Sequence, residues 1–214
     1  MDTQYKRWLD GKIGERCREN LKKNGFDAHF VRDIDSAREM VLDMIAGFET
    51  FGFAGSDTTR KIGVIDALEA SGKTIYDHWK EGLSNDEDLA IRLAQGRCDC
   101  FLCSANAISE TGEIINVDGI GNRTAAMCFG PLKVVIIAGV NKITPDLDSA
   151  FKRIRNVAAP MRAKSLNMKT PCAETGKCTD CNAPQRICRT TTILHRKPSL
   201  TDISVILINR SLGF

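Results

Sequence analysis

Cys172, Cys178, Cys181 and Cys188 fall within seventeen residues in the order C-x5-C-x2-C-x6-C. Thiolates this close in sequence can converge on one metal centre, because Gly176 and Pro184 let the intervening backbone turn sharply. The set suits a [4Fe-4S] cluster, which needs four thiolates and tolerates irregular spacing. Structural zinc is the alternative, although it is more often held by two C-x-x-C pairs, and here only Cys178 and Cys181 form one. Lys169, Lys177, Arg186 and Arg189 surround the thiols, which predicts lowered thiol pKa values and compensation of the negative charge of either centre. Such a centre would couple metal binding to folding of the segment. Cys98, Cys100 and Cys103 form C-x-C-x2-C beside Phe101 and Leu102, where free cysteine packs as a small hydrophobe. They read as core, with Cys98 and Cys100 on one face of a strand.

Two polar loops offer ligand chemistry. In Gly55-Ser56-Asp57-Thr58-Thr59 a strand runs into a helix, so backbone N–H groups and the hydroxyls of Ser56, Thr58 and Thr59 can receive a phosphate or carboxylate. A plain helix cap explains the same residues. In Asp118-Gly119-Ile120-Gly121-Asn122-Arg123 the glycines allow close backbone approach, while Asp118, Asn122 and Arg123 add an acceptor, an amide and a fork-shaped cation suited to a carboxylate. Asn106 and Glu110 bracket a turn near the same end. His29, His78 and His195 lie far apart without a partner at ligand spacing and read as structural or exposed. Arg153 and Arg155 read as satisfying a helix C-terminus.

The elements that must position these groups alternate. Residues 4–21 carry Tyr5, Trp8, Leu9, Ile13, Cys17 and Leu21 at helical steps before an Asn24-Gly25 stop. Strands are predicted at 26–31, 50–54, 73–77, 98–104, 113–117 and 133–138, and at 190–194 and 203–208. Helices are predicted at 35–44, around Ile62 to Glu69, at 86–95, in a short piece up to Met127, and at 146–158, where Pro160 stops the last. The run 133–138 is continuously apolar, as in a strand buried on both faces of a parallel sheet. This pattern predicts one α/β domain over 1–214, a mostly parallel sheet flanked by helices, with a Cys-rich insertion at 164–190. Ligands in such sheets sit beyond the carboxyl ends of the strands, where both loops fall.

Composition narrows the classes. With 43% hydrophobic residues among 214, a core is affordable without staples. Nine cysteines, an odd number, and no signal-peptide pattern argue against a secreted disulfide framework and predict a reducing cytoplasm. No apolar run is long enough to cross a bilayer. A net charge of +3 without a basic block gives nucleic-acid binding no electrostatic support.

The stretch from Ser104-Ala105-Asn106-Ala107-Ile108 to Asp118-Gly119-Ile120-Gly121-Asn122-Arg123, with Arg153-Ile154-Arg155-Asn156-Val157-Ala158-Ala159-Pro160 and the cysteine tail, resembles the LUD-domain (lactate utilisation) proteins. The resemblance implies a fold like the NagB/RpiA/CoA-transferase group, whose members handle sugar phosphates or acyl-CoA thioesters. It also implies a setting in lactate oxidation alongside iron-sulfur subunits. On that basis Glu110 is the candidate catalytic carboxylate, because CoA transferases of the fold group use a glutamate. The ligand expected in the two loops is a small anionic metabolite: an organic acid, a sugar phosphate or a CoA ester. Two other readings stand beside a redox role for a cluster. One is a non-catalytic subunit docking an iron-sulfur or flavin oxidoreductase, and the other is a sugar-phosphate or CoA-ester enzyme with structural zinc.

Overall fold

The computed structural model describes residues 4–214. Its elements run α1 (Gln4–Lys23), β1 (Asp27–Val31), α2 (Ile34–Ile45), β2 (Thr50–Phe53), α3 (Asp57–Lys61), α4 (Val64–Ala70), β3 (Thr74–Asp77), α5 (Asn85–Gln95) and β4 (Cys100–Cys103). There follow β5 (Ala107–Ser109), β6 (Ile114–Asp118), α6 (Asn122–Cys128), β7 (Lys133–Gly139), a 3-10 turn (Val140–Lys142), β8 (Ile143–Thr144) and α7 (Leu147–Arg153). A π-helical turn (Ile154–Ala158), α8 (Ala159–Ser165), α9 (Pro171–Thr175), β9 (Thr190–Leu194) and β10 (Asp202–Ile208) complete the chain.

The predicted α/β fold is what forms. Six strands in the order β1-β10-β7-β4-β2-β3 make a wholly parallel sheet. β7 lies inside it and is buried along Val134 to Ala138, which is why its sequence shows no alternation of polar and apolar residues. Alternation reappears in which core each side chain joins. Phe101, Val134, Ile136, Val205 and Leu207 face α1, α6 and a second sheet, whereas Leu102, Val135, Ile137, Ile206 and Ile208 face α2 and α4. The second sheet, ordered β8-β5-β6-β9, is mixed. Its short strands β5 and β8 have too few residues to show a sequence period. No described helix is long and apolar enough to cross a membrane.

Three local expectations are corrected. The apolar residues at the start of α1 do not reach the core: Cys17 and Leu21 are buried, but Tyr5, Trp8 and Leu9 are exposed. Cys98 lies in a bend before β4, so it joins the core on one side with Cys103 while Cys100 joins the other. The reading of these thiols as core holds, since burial raises those of Cys17, Cys98 and Cys103 to about 12 and makes them poor nucleophiles and ligands. Pro160, finally, does not stop the chain's last long helix. In the π turn the Ala159 N–H bonds back to the Ile154 carbonyl, five residues away, and Pro160 then sits in the first turn of α8, where its missing N–H costs little.

Candidate functional site

The carboxyl ends of β2, β3, β4, β7 and β10 lead into one cavity of about 390 Å³. The chain steps outward from β2 to β3 and returns across β2 to β4, and this reversal of strand order opens a crevice between the following segments. Gly55, Ser56, Asp57 and Thr58 enter from β2, His78 and Trp79 from β3, Ser104 and Asn106 from β4, and Lys142 from the 3-10 turn after β7.

Lys142 is 4% exposed. Its Nζ donates to Thr58 Oγ1 at 3.1 Å and Ser104 Oγ at 2.9 Å, and no described carboxylate forms an ion pair with it. Burial, reinforced by Arg153 and Arg123, pushes its pKa down to about 7, so near neutrality a large fraction is the free amine. His78 is neutral for a related reason. The Gln95 Nε2 lies 2.9 Å from Phe53 O and 3.0 Å from Tyr76 O, which identifies it as the amide NH2, and its 2.8 Å contact makes His78 Nδ1 an acceptor. The imidazole proton is therefore on Nε2, and burial lowers the pKa of the ring to about 4.

Three guanidiniums line the cavity. Arg92 pairs with Asp88 at 2.7 Å and Arg123 with Asp118 at 2.5 Å, but the carboxylate paired with Arg162, that of Asp57, is 4.0 Å away. Arg162 is held instead by Trp79, whose ring centroid is 4.5 Å from both the Arg162 and the Arg60 Cζ. Arg60 is itself engaged by both oxygens of Asp77, at 2.7 and 2.8 Å. The indole depends on Gly55, where an added Cβ would lie 2.6 Å from Trp79 Nε1. Gly55→Ala is accordingly expected to cost about 1–3 kcal/mol by overpacking. It should also shift the Trp79 emission, read in a Trp8→Phe background by fluorescence and thermal unfolding.

The loop 118–123 is built differently from its sequence reading. Asp118 Oδ1 accepts from Arg123 Nε at 2.9 Å, and Asp118 Oδ2 accepts from the Thr124 N–H at 2.9 Å. Arg123 Nη2 also donates to Asn106 Oδ1 and the Val117 carbonyl, both at 3.0 Å. The carboxylate that suits Arg123 is thus Asp118, and the pair braces the loop. Asn122 bonds Gln95 Oε1 at 3.1 Å. Gly121 adopts a positive φ of 96° at the start of α6 and does not line the cavity; nor does Thr59, whose hydroxyl donates to Ser56 O at 2.9 Å. Ser56 Oγ caps α3 by accepting from the Thr59 N–H at 3.4 Å. Glu110 lies outside the cavity, paired with Arg16 of α1 at 2.5 Å, because its turn packs against that helix.

The four cysteines Cys172, Cys178, Cys181 and Cys188 converge. All line a second, small cavity of about 30 Å³, with Thr170, Asp180 and Arg186. Arg186 braces it, donating to the carbonyls of Cys188 at 2.7 Å and Cys181 at 2.5 Å. The expected lowering of thiol pKa does not hold for Cys188, which burial and then the neighbouring Cys178 raise. Among the described residues no three His, Cys, Asp or Glu side chains are grouped closely enough to hold a metal ion. One tetrahedral zinc needs its sulfurs within about 4 Å of each other. Four thiols around one cavity are the donor set that a cluster or a structural zinc would use. Ile187 lines both this cavity and the larger one, and the backbone of Ile187 lies 3.3 Å from where a Gly119 Cβ would be.

The model of the LUD domain matches residues 14–208. The chain belongs to the LUD-domain family. The crystal structure of a DUF162 family protein from Deinococcus radiodurans is similar at 12% identity with a TM-score of 0.55, over 93% of this chain and 98% of that one, which shows a shared fold. No curated protein matches the chain.

In this LUD domain the sequence-predicted Gly55, Ser56, Thr58, Asn106, Asp118, Gly119, Asn122 and Arg123 do come together around the larger cavity. Sequence reasoning missed Lys142, Arg162, Trp79 and His78. The one signal for Lys142 was its place just beyond the carboxyl end of the most apolar strand, and Arg162 was hidden behind the misread Pro160.

Proposed function

We propose that this LUD domain binds a small carboxylate-bearing metabolite of the lactate and pyruvate class in the carboxyl-edge cavity, and that Cys172, Cys178, Cys181 and Cys188 hold a [4Fe-4S] cluster beside it. Family membership supports a lactate-utilisation-related function. The observation that carries the finer reading is the convergence of all four cysteines on a cavity that shares Ile187 with the larger one. When bound, the cluster supplies one-electron transfer. Arg162, with a distant acidic partner and an aromatic face to hold it, is the cation available to a ligand carboxylate. Ser104 and Thr58 place hydroxyls beside Lys142, and His78 offers one N–H, so a hydroxyl or carbonyl oxygen on the ligand meets both donors and acceptors. Asp118 and Arg123 keep the loop in place and do not touch the reacting atoms.

Titration with L-lactate and pyruvate, followed by calorimetry, tests the cavity. Arg162→Ala is expected to weaken binding on the order of 100-fold, the worth of a charge-assisted bidentate contact. Unchanged affinity rejects the assignment. Anaerobic purification with iron, zinc and acid-labile sulfide quantified per chain tests the metal: about four iron and four sulfide support the cluster, and about one zinc replaces it with a structural ion.

The docking-subunit reading has one observation in its favour. Val157 and Met161 are 39% and 45% exposed on the turn whose Ala158 and Ala159 line the two cavities. Co-purification with an oxidoreductase subunit, lost in Met161→Glu, would support it.

A further inference from the structure

We infer that Lys142 is a carbonyl-capturing amine, forming an imine with the oxo group of a 2-oxo acid whose carboxylate sits on Arg162. The inference rests on the larger cavity being an anion site and adds to it a covalent chemistry and a choice of oxidation state.

Lys142 has the placement such a role needs. It follows the innermost apolar strand directly, on a 3-10 turn, and its Nζ is fixed between the Thr58 and Ser104 hydroxyls at 3.1 and 2.9 Å. The charged and titratable groups that face it are Arg153 from α7, Arg123 from α6, Asp57 from α3 and Cys103 from β4. Arg153 is locked by the carbonyls of Asn141 at 2.9 Å and Asn106 at 2.6 Å, and Arg123 by Asp118, so neither can move away to relieve a buried ammonium. A lysine kept for structure would pair with a carboxylate or extend to solvent. This one does neither, and its lone pair is available at neutral pH.

The cavity then selects the electrophile. Arg162 and Lys142 both line the cavity, and the charge of Asp57 acts on each of them. A ligand that engages both carries a carboxylate for Arg162 and an electrophilic carbon for Lys142. A 2-hydroxy acid offers no electrophilic carbon there, whereas a 2-oxo acid does. The amine nitrogen bonds to the carbonyl carbon while the carbonyl oxygen takes a proton, relayed from the amine through the Ser104 or Thr58 hydroxyl, to give a carbinolamine. The remaining N–H proton of the carbinolamine, passed through the same hydroxyls, lets that oxygen leave as water while the nitrogen electron pair closes the C=N bond. Amine and ketone become imine and water, with nothing oxidised or reduced.

The test is reductive trapping on the full-length protein with pyruvate and sodium cyanoborohydride at mildly alkaline pH, followed by intact mass and peptide mapping. The expected result is one reduced adduct per chain on the Lys142 peptide, saturable in pyruvate and lost in Lys142→Met. The mapping is done on the unaltered protein, so the result does not depend on how the variant folds. Modification scattered over exposed lysines, with Lys142 unlabelled, overturns the inference. Pyruvate binding measured in parallel by ligand-observed NMR separates the two levels. Binding that needs Arg162 but leaves Lys142 unmodified defeats the amine and spares the anion site, and absence of both binding and adduct defeats both.

Discussion

With the proposed cluster on the four cysteines, Cys178→Ser is expected to abolish its binding and to loosen the wall between the two cavities. A serine oxygen is a harder, weaker donor than a thiolate, and three remaining thiols do not complete a four-ligand centre. The consequence is large because residues 166–189 contain a single turn of helix, α9, ended by Gly176 at a φ of 71°. Around it the backbone is held largely by side chains: Arg186 on the carbonyls of Cys181 and Cys188, Arg189 on those of Pro184 and Arg186, and Gln185 on the Lys169 N–H at 2.7 Å. Such a segment would take much of its order from the proposed centre. The variant should lose iron and sulfide together, unfold on the order of 10 °C lower, and be cut by trypsin at Lys169, Lys177, Arg186 or Arg189 under conditions that leave the parent intact. Full iron content with an unchanged unfolding temperature would remove Cys178 from the ligand set.

Lys142→Met should stabilise the protein, and the gain should depend on pH in a defined sense. The folded state holds the Lys142 pKa at about 7, well below the ordinary 10.5, so between those values the unfolded chain binds more protons than the native one. The native lysine is therefore most costly below pH 7, and its cost falls as pH rises towards 10.5. Methionine removes that cost while giving up two hydrogen bonds to hydroxyls. A net gain of about 2 kcal/mol near pH 6 that fades above pH 10 is expected from urea unfolding at a series of pH values. Destabilisation at pH 6 by the same amount would mean that the amine is a satisfied structural group.

The strands of the large sheet were legible in the sequence because β4 and most of β7 are unbroken apolar runs and β10 is interrupted only by Ser204, and a strand buried on both faces has no other signature. The convergence of four cysteines was legible because short spacing limits how far apart they can fall. The small sheet was not foreseen in full, since β8 is two residues and β5 three. The loop residues were identified as neighbours, but their bonds to one another were not foreseen. Arg123 in isolation looks like a receptor for a carboxylate, and only the tertiary placement of Asp118 shows that the carboxylate is internal. Lysine at 142 carries no local mark of burial, because what neutralises it is the packing around it and the guanidiniums of Arg153 on α7 and Arg123 on α6. Arg162 was obscured by the rule that proline ends a helix, which fails where a π turn has already shifted the hydrogen-bond ladder by one residue.

Ile187 stands in both cavities, and its backbone leans on Gly119 while Arg189 donates its N–H to the Asp118 carbonyl at 2.9 Å. Two occupants that share a wall cannot be thermodynamically independent if either one moves it. Whatever factor the loaded thiols contribute to the affinity for an acid, the bound acid must return to the retention of the metal, because both legs of the cycle end in the same doubly occupied protein. Metabolite concentration would then set how easily the centre is lost, and the small organic acid would act as guardian of the cysteines as well as their neighbour.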